Sequence, residues 1–270
     1  MTLLLVARGS LAMARPPSTP GSRLARQRGG PRPQSAPLSL RDRLLNARIV
    51  RRNTTPRAAI ELYGSQGTRS PLVNWYLHEI GCDFEMKDPR DPANPHPFGQ
   101  VPALRDGNTE VFESGAILAY IADAYGGADT PEKRAKVVPW LMWANSTLDP
   151  CLFIETPKGR VLNTGARGAA GEVRALDRLE AILREQNWLL GDEFSVADVA
   201  VGSYLLYVPQ FFRDVNMGKW PSVSKYMLRC ASRDAYAMAY QQEAPFLRLK
   251  CQEFIDNSAN LPSTRGFKLF

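Results

Sequence analysis

Residues 98–117 read FGQVPALRDGNTEVFESGAI and hold the side chains best placed to do chemistry. Glu113 and Ser114 stand where a strand-like run, TEVF, gives way to a helical pattern, with nothing apolar to bury at the junction. A helix start presents unpaired backbone N–H groups and the positive end of the helix dipole, so it favours an anion. A hydroxyl there can help hold that anion, and the neighbouring carboxylate can take a cation. The same pair also suits an ordinary N-cap beside a solvated strand end, and on these residues alone both readings stay open. Upstream, VPAL and TEVF flank a DGN turn, which signals a hairpin. Pro102 interrupts the first run, where it removes a ladder donor and argues against a central strand.

Other chemistries find less support. The four cysteines, Cys82, Cys151, Cys230 and Cys251, are scattered without a CxxC spacing, and there are only two histidines, His78 and His96. That set has too few ligands for a zinc site and reads as reduced thiols in a reducing compartment. Cys82 follows Gly81, a helix stop, and reads as a packing residue. Ser195 with Asp198 three residues on has the form of a capping box and serves folding rather than catalysis.

The elements that must position these residues follow from periodicity. AAIELYG (58–64) reads as a short buried strand and SQGTRS as a loop, with Pro71 suited to the first turn of a helix through PLVNWYLHEIG. DFEMK (83–87) alternates as a second strand, and the proline-rich DPRDPANPHPFG is a loop. The hairpin and the helix SGAILAYIADAY complete a compact mixed α/β unit over 58–127. From Thr130 onward strand signals stop. Helices are expected at roughly 131–155, 168–187, 195–213, 221–231 and 233–240, an all-helical domain over 130–240. Residues 241–270 read as a tail with little periodicity.

The chain has 270 residues and a net charge of +7, which raises nucleic acid as a partner. The charge is not evenly placed. Residues 1–58 hold 12 Arg, no Lys and one acid, Asp42, hence +11; the remaining 22 basic and 26 acidic residues give −4. A basic nucleic-acid face on the folded body is therefore not expected. Residues 1–57 are rich in Arg, Ser, Ala and Pro, the composition of an organelle transit peptide, chloroplast ahead of mitochondrion. The alternative is a disordered basic arm on a cytoplasmic protein. No run of 18 apolar residues exists, so no membrane span is expected.

Four segments in order resemble one family. FGQVPALRDGNTEVFESGAILAYIADAY, LYGSQGTRSPLVNWYLHEIG, WLMWANSTLDPCLF and WLLGDEFSVADVAVGSYL are similar to parts of the cytosolic-type glutathione transferases, over about residues 59–240. The resemblance implies a thioredoxin-like α/β N-terminal domain followed by an all-α helical bundle. It implies glutathione as co-substrate, small hydrophobic electrophiles as second substrates, and a homodimer.

What the family does with its residues carries over position by position. Pro102 would be cis, a form of the peptide bond largely confined to X-Pro, letting the Val101 backbone pair with the tripeptide in the manner of an added strand. Glu113 would meet the α-amine of the γ-glutamyl end and Ser114 its α-carboxylate, with Gln100 a further contact. Lys87, Arg90 or His96 could meet the glycine carboxylate. The thiolate, the nucleophilic form of a thiol with pKa near 8.5, needs a donor on the loop GSQGTRSP. Counting from Gly64 implies Thr68, and the SPLV match implies Ser70; Ser65 and Tyr63 are further candidates. The loop contains no cysteine, which speaks against a disulfide or dehydroascorbate reductase. Trp143, Asn145, Leu148 and Phe153 could line the electrophile pocket or belong to the core. The rival reading is a non-catalytic module like the one in the elongation factor gamma subunit, although no extra domain of that protein is expected after residue 240.

Overall fold

The computed structural model describes residues 59–163 and 174–259. Strands β1 (Ile60–Tyr63), β2 (Phe84–Lys87), β3 (Ala103–Asp106) and β4 (Thr109–Phe112) form one sheet in the order β2-β1-β3-β4. β1 and β2 run parallel, bridged by helix α1 (Ser70–Glu79), while β3 lies antiparallel to β1 and β4 antiparallel to β3. Helix α2 (Ser114–Ala124) follows β4. This is the thioredoxin-like α/β unit that the resemblance implies. Its core is the apolar set the alternation and the helical spacing select: Leu62 and Leu104 from the sheet, Leu72, Val73 and Leu77 from α1, and Ile117 and Ile121 from α2, all buried. Burying each such side chain contributes about 1.5–3 kcal/mol.

The second half is helical, with one exception. Helix α3 (Pro131–Trp143) is capped by the Thr130 hydroxyl, which accepts from the Lys133 amide at 3.3 Å. It continues through a π-helical turn, Ala144–Leu148, into α4 (Asp149–Leu152). Strands β5 (Phe153–Thr156) and β6 (Gly159–Leu162) then form a separate hairpin. The expectations of one helix over 131–155 and of no strands after Thr130 are thus corrected. Within the hairpin, Phe153 and its cross-strand partner Leu162 are buried, while Ile154 and Val161 face outward, the period of two that a half-buried strand requires. The Thr156 hydroxyl donates to the Gly159 carbonyl at 2.6 Å and closes the turn.

Four of the later helices frame the bundle: α5 (Arg174–Glu185), α6 (Val196–Phe211), α7 (Pro221–Ala231) and α8 (Asp234–Tyr240). The expected helix over 168–187 begins in a stretch outside the described residues, as do the whole 1–57 leader and residues 260–270. Residues Val196–Pro209 of α6 are all buried, so this helix is the axis of the bundle. The expected tail is a second correction. Residues Glu243–Ala259 form α9, which buries Ala244, Leu247, Cys251 and Phe254 at helical spacing. The two halves of the folded body are joined by a bidentate pair: Arg233, the N-cap residue of α8, grips Glu79 on α1 at 2.6 and 2.8 Å, with its guanidinium 3.8 Å over the Phe194 ring.

Candidate functional site

Register explains why residues far apart in sequence come together. Lys87, Tyr63, Ala103 and Phe112 are successive partners across β2, β1, β3 and β4, so they form one row at one end of the sheet. The chain continues from Tyr63 into the loop Gly64–Arg69, reaches Ala103 through Gln100, Val101 and Pro102, and leaves Phe112 into Glu113 and Ser114. All three segments therefore lie at the same sheet end. With strands about 4.8 Å apart, the step from β1 to β4 is about 10 Å, the length of about three extended residues.

The loop places Thr68 in a closed set of hydrogen bonds. Its hydroxyl donates to the Ser65 carbonyl at 2.7 Å, and its oxygen accepts from the Ser70 amide at 3.1 Å. The Ser70 hydroxyl lies 2.8 Å from the same oxygen. Because the single Thr68 proton is directed at Ser65, the Ser70 hydroxyl is the donor of that third contact. Ser70 is only 1% exposed, so its path to a ligand runs through Thr68. Gly64 makes this possible, since a Cβ there would sit 2.1 Å from the Ser70 oxygen. The two hydroxyls that sequence offered as alternatives are thus one pair.

Arg69, the N-cap residue of α1, crosses to the helical half. It forms an ion pair with Asp149 and lies 5.4 Å from the centre of the Tyr204 ring. Burial opposes its charge, but Tyr204 and Asp149 outweigh that and hold its pKa above the ordinary value. Asp149 is the residue directly after the π-helical turn, an irregularity often found at functional sites.

On the second segment the Val101–Pro102 peptide is cis, as expected. Gln100 and Val101 join Gly67, Thr68 and Arg69 on one wall of a cavity of about 750 Å³. Phe153, Tyr207, Phe211 and Phe212 form the opposite wall. The third segment flanks this cavity rather than lining it. Glu113 is exposed and adopts φ +68°, an uncommon conformation for a residue with a side chain. Ser114 opens α2 and is buried, and no side chain caps the helix. At the next position, a Cβ on Gly115 would lie 2.7 Å from the Asn145 amide nitrogen, so the helical half approaches the start of α2 closely there.

The remaining candidates separate cleanly. Tyr63 donates to Glu61 at 2.8 Å and receives Arg105 at 2.8 Å, a network braced on the sheet and apart from the cavity. Lys87 pairs with Glu85 and Glu61, and Arg90 with Asp88. The His96 ring is buried, its Nδ1 accepting from the Phe98 amide at 3.2 Å. Of the proposed pocket linings, Phe153 reaches the cavity. Asn145 accepts from the Tyr204 hydroxyl at 2.9 Å, Leu148 is fully buried, and Trp143 faces a different groove with Trp140 and Leu179. Tyr207, Phe211 and Phe212 were missed by sequence reasoning. The four cysteines are not joined in disulfides, and burial pushes Cys151 and Cys230 up and Cys251 to about 12. No group of side chains suited to a metal ion occurs among the described residues.

Two family models match this chain: glutathione S-transferase, N-terminal domain, over residues 58–123, and glutathione S-transferase, C-terminal domain, over 167–234. Glutathione S-transferase 3 of Zea mays is 32% identical over 169 residues, covering 52% of this chain and 74% of that protein. Glutathione S-transferase GstB of Escherichia coli (strain K12) is 32% identical over 138 residues, covering 46% of this chain and 66% of that protein, so the chain spans just under two thirds of that relative. Among solved structures, the theta class glutathione S-transferase from Xanthomonas axonopodis pv. citri, with glutathione bound, superposes with a TM-score of 0.54 at 23% identity, over 68% of this chain and 98% of that one. That likeness shows the fold, and the sequence relatives carry the kinship: the chain belongs to the glutathione S-transferase family.

Proposed function

We propose that this protein binds glutathione, holds its sulfur as a thiolate, and transfers it to hydrophobic electrophiles. The observation that carries this reading is the cavity that sets Thr68, Gln100 and Val101 against an aromatic wall. The tripeptide would lie along the sheet end, its γ-glutamyl carboxylate at the open start of α2 and its amine at Glu113. Its cysteine would then point toward Thr68. On binding, the Thr68 proton turns from the Ser65 carbonyl to the sulfur, while the oxygen stays fixed by the two bonds it accepts from Ser70. Those two bonds polarise the hydroxyl and strengthen it as a donor. A thiolate stabilised this way is the reactive nucleophile at neutral pH.

Thr68→Ala in the full chain tests the assignment, with a chloronitroarene and glutathione as substrates. Loss of one donor to the developing anion lowers kcat by about 100-fold, while retention on immobilised glutathione changes little. Unchanged turnover would sink the role of Thr68. A second reading, a non-catalytic glutathione-binding module, draws on the direction of the free Thr68 proton toward Ser65. Retention on glutathione with no turnover of any electrophile would favour it.

The setting belongs to the same proposal. The leader targets the protein to an organelle, chloroplast ahead of mitochondrion, where it acts in detoxification or stress response as a homodimer. Import of residues 1–57 fused to a fluorescent reporter checks the first point, and sedimentation of the full chain checks the last. No helix among the described residues is long and apolar enough to cross a membrane.

A further inference from the structure

The loop that carries Thr68 is also held from outside the cavity. Residues Ser65 to Thr68 form a tight turn with Gln66 and Gly67 at its centre. Gly67 takes φ +79°, the value a type II turn requires at its third residue and one that glycine reaches without strain. The Thr68 hydroxyl closes the turn on the Ser65 carbonyl. Gln66, the second residue of the turn, reaches across to the helical half. Its side-chain Nε2 donates to the Ala239 carbonyl at 2.8 Å, across 173 positions of sequence.

Ala239 lies in the last turn of α8, and the final carbonyls of a helix find no partner within it. Gln66 supplies an N–H at the negative end of that helix, where a donor is favoured. Helix α8 is itself well fixed. Its N-cap residue, Arg233, grips Glu79 at the end of α1. Between its ends, the buried Tyr236 and Tyr240 rings stack on one another at 4.1 Å and meet Trp75 of α1 edge-on at 4.9 and 6.5 Å. The helix therefore holds the segment 66–79 at its front, its middle and its end. Of these three grips, the one at Gln66 lies on the loop beside the proposed thiol donor.

We propose that Gln66 is a positioning residue for the thiol chemistry, tying the turn to α8 so that the Thr68 hydroxyl stays aimed at the sulfur. Ser70 fixes the Thr68 oxygen from the helix side, but the residue directly before Thr68 is a glycine, which leaves the backbone free to swing. Gln66 removes that freedom from the other side of the glycine. A hydrogen bond weakens steeply as its angle departs from linearity, so a donor that swings stabilises the thiolate less. The thiol pKa then drifts back toward its ordinary value near 8.5. Gln66 touches neither glutathione nor electrophile in this scheme and acts through Thr68.

This inference rests on the glutathione reading, and titrating bound glutathione keeps the two separable. Gln66→Glu keeps the shape of the side chain, removes the donor and sets a negative charge against the negative end of α8. Gln66→Lys restores an N–H of similar reach. Gln66 is exposed, so both variants should keep the fold, which circular dichroism verifies. The ultraviolet absorbance of the thiolate is followed against pH in the full chain, and kcat and KM are measured with a chloronitroarene. Gln66→Glu should raise the midpoint of thiol ionisation and lower kcat about fivefold, the order that one hydrogen bond contributes. Its KM for glutathione should stay close to wild type, and Gln66→Lys should resemble wild type in every measure. An unfolding temperature that falls in Gln66→Glu while the ionisation midpoint stays put would make the tether purely structural and overturn the proposal. Equal impairment of Gln66→Lys and Gln66→Glu overturns it too, and both results leave the glutathione reading intact. A wild type that fails to bind glutathione overturns both.

Discussion

Among the described residues three helices begin at or directly after a serine, and they begin differently. The start of α6 is capped from within: Ser195 and Asp198 form a complete capping box. Asp198 also accepts from the Leu189 amide at 2.9 Å and the Tyr226 hydroxyl at 3.1 Å. At α1 and α2, which open on Ser70 and Ser114, no side chain of the cap residue bonds the helix start. The boxed start lies at the centre of the helical bundle and the other two at the sheet end of Tyr63, Ala103 and Phe112; at α1 the Ser70 amide is taken by the Thr68 oxygen of the preceding loop, and α2 alone of the three is left open. A helix N-terminus is a source of stability when its own chain caps it, and a potential binding surface when left for a ligand. Sequence shows an acid near the serine in two of these places, three residues after Ser195 and directly before Ser114, and the structure shows what that spacing does. Asp198 reaches back into its own helix, while Glu113, at positive φ, does not.

The largest effect should come from opening the closed start. Asp198→Ala strands buried donors at Leu189, Ser195 and Tyr226, and at about 1–3 kcal/mol for each unsatisfied group the folded state should lose about 3–4 kcal/mol. Thermal unfolding should then begin about 10 °C lower, with glutathione affinity of the folded fraction unchanged. A shift of a degree or two would remove the contrast between the starts.

The companion test strips the side chains from an open start. Glu113→Ala and Ser114→Ala should each raise the KM for glutathione by about tenfold, about 1.4 kcal/mol, with an unfolding temperature close to wild type. A fall in stability without a change in KM would make α2 another structural cap. At the third start, Ser70→Ala removes one of the two bonds that polarise Thr68. It should lower kcat several-fold, less than Thr68→Ala, and raise the pKa of bound glutathione, followed by the ultraviolet absorbance of the thiolate. Rescue by Ser70→Thr would show that the hydroxyl, not the packing, matters.

The smallest effect is in pH. Burial lifts the Asp198 carboxyl above its ordinary 3.8, against the hydrogen bonds from Leu189, Ser195 and Tyr226 that lower it. The folded chain therefore holds this proton more tightly than the unfolded one. Its contribution to stability is complete below pH 3.8 and is lost as pH rises through the raised value. Denaturant midpoints of Asp198→Asn, compared with wild type from pH 3.5 upward, should lack that slope.

Much of this was legible from local patterns. The order of strands and helices through residue 127 follows from alternation, turn residues and the prolines, and the Ser195–Asp198 box was visible as a spacing. The peptide-binding segment proposed above, Gln100 to Pro102 with Glu113 and Ser114, could be picked out because its residues are close in sequence; of these, Gln100 and Val101 line the cavity. The pairing of Thr68 with Ser70 was not, because spacing says that two hydroxyls are near and says nothing of which one faces outward. The β5–β6 hairpin was hidden by its length: four residues per strand, FIET and GRVL, carry too few alternations to outweigh the helix before them. Helix α9 was available in the spacing of Ala244, Leu247, Cys251 and Phe254, but the polar residues between them obscure it. The aromatic wall was out of reach, since it depends on where α6 stops.

The ion pair between Arg69 and Asp149 has a practical consequence for building hybrids. Exchanging helical halves between relatives is an obvious way to transplant electrophile preference onto a working thiol site. In this chain the loop that presents Thr68 is anchored by a carboxylate from the half being exchanged. A hybrid without an acid at position 149 would leave the half-buried Arg69 guanidinium without its ion-pair partner, next to the proposed thiol donor Thr68. Donor halves should therefore be screened for that acid before they are screened for their pockets.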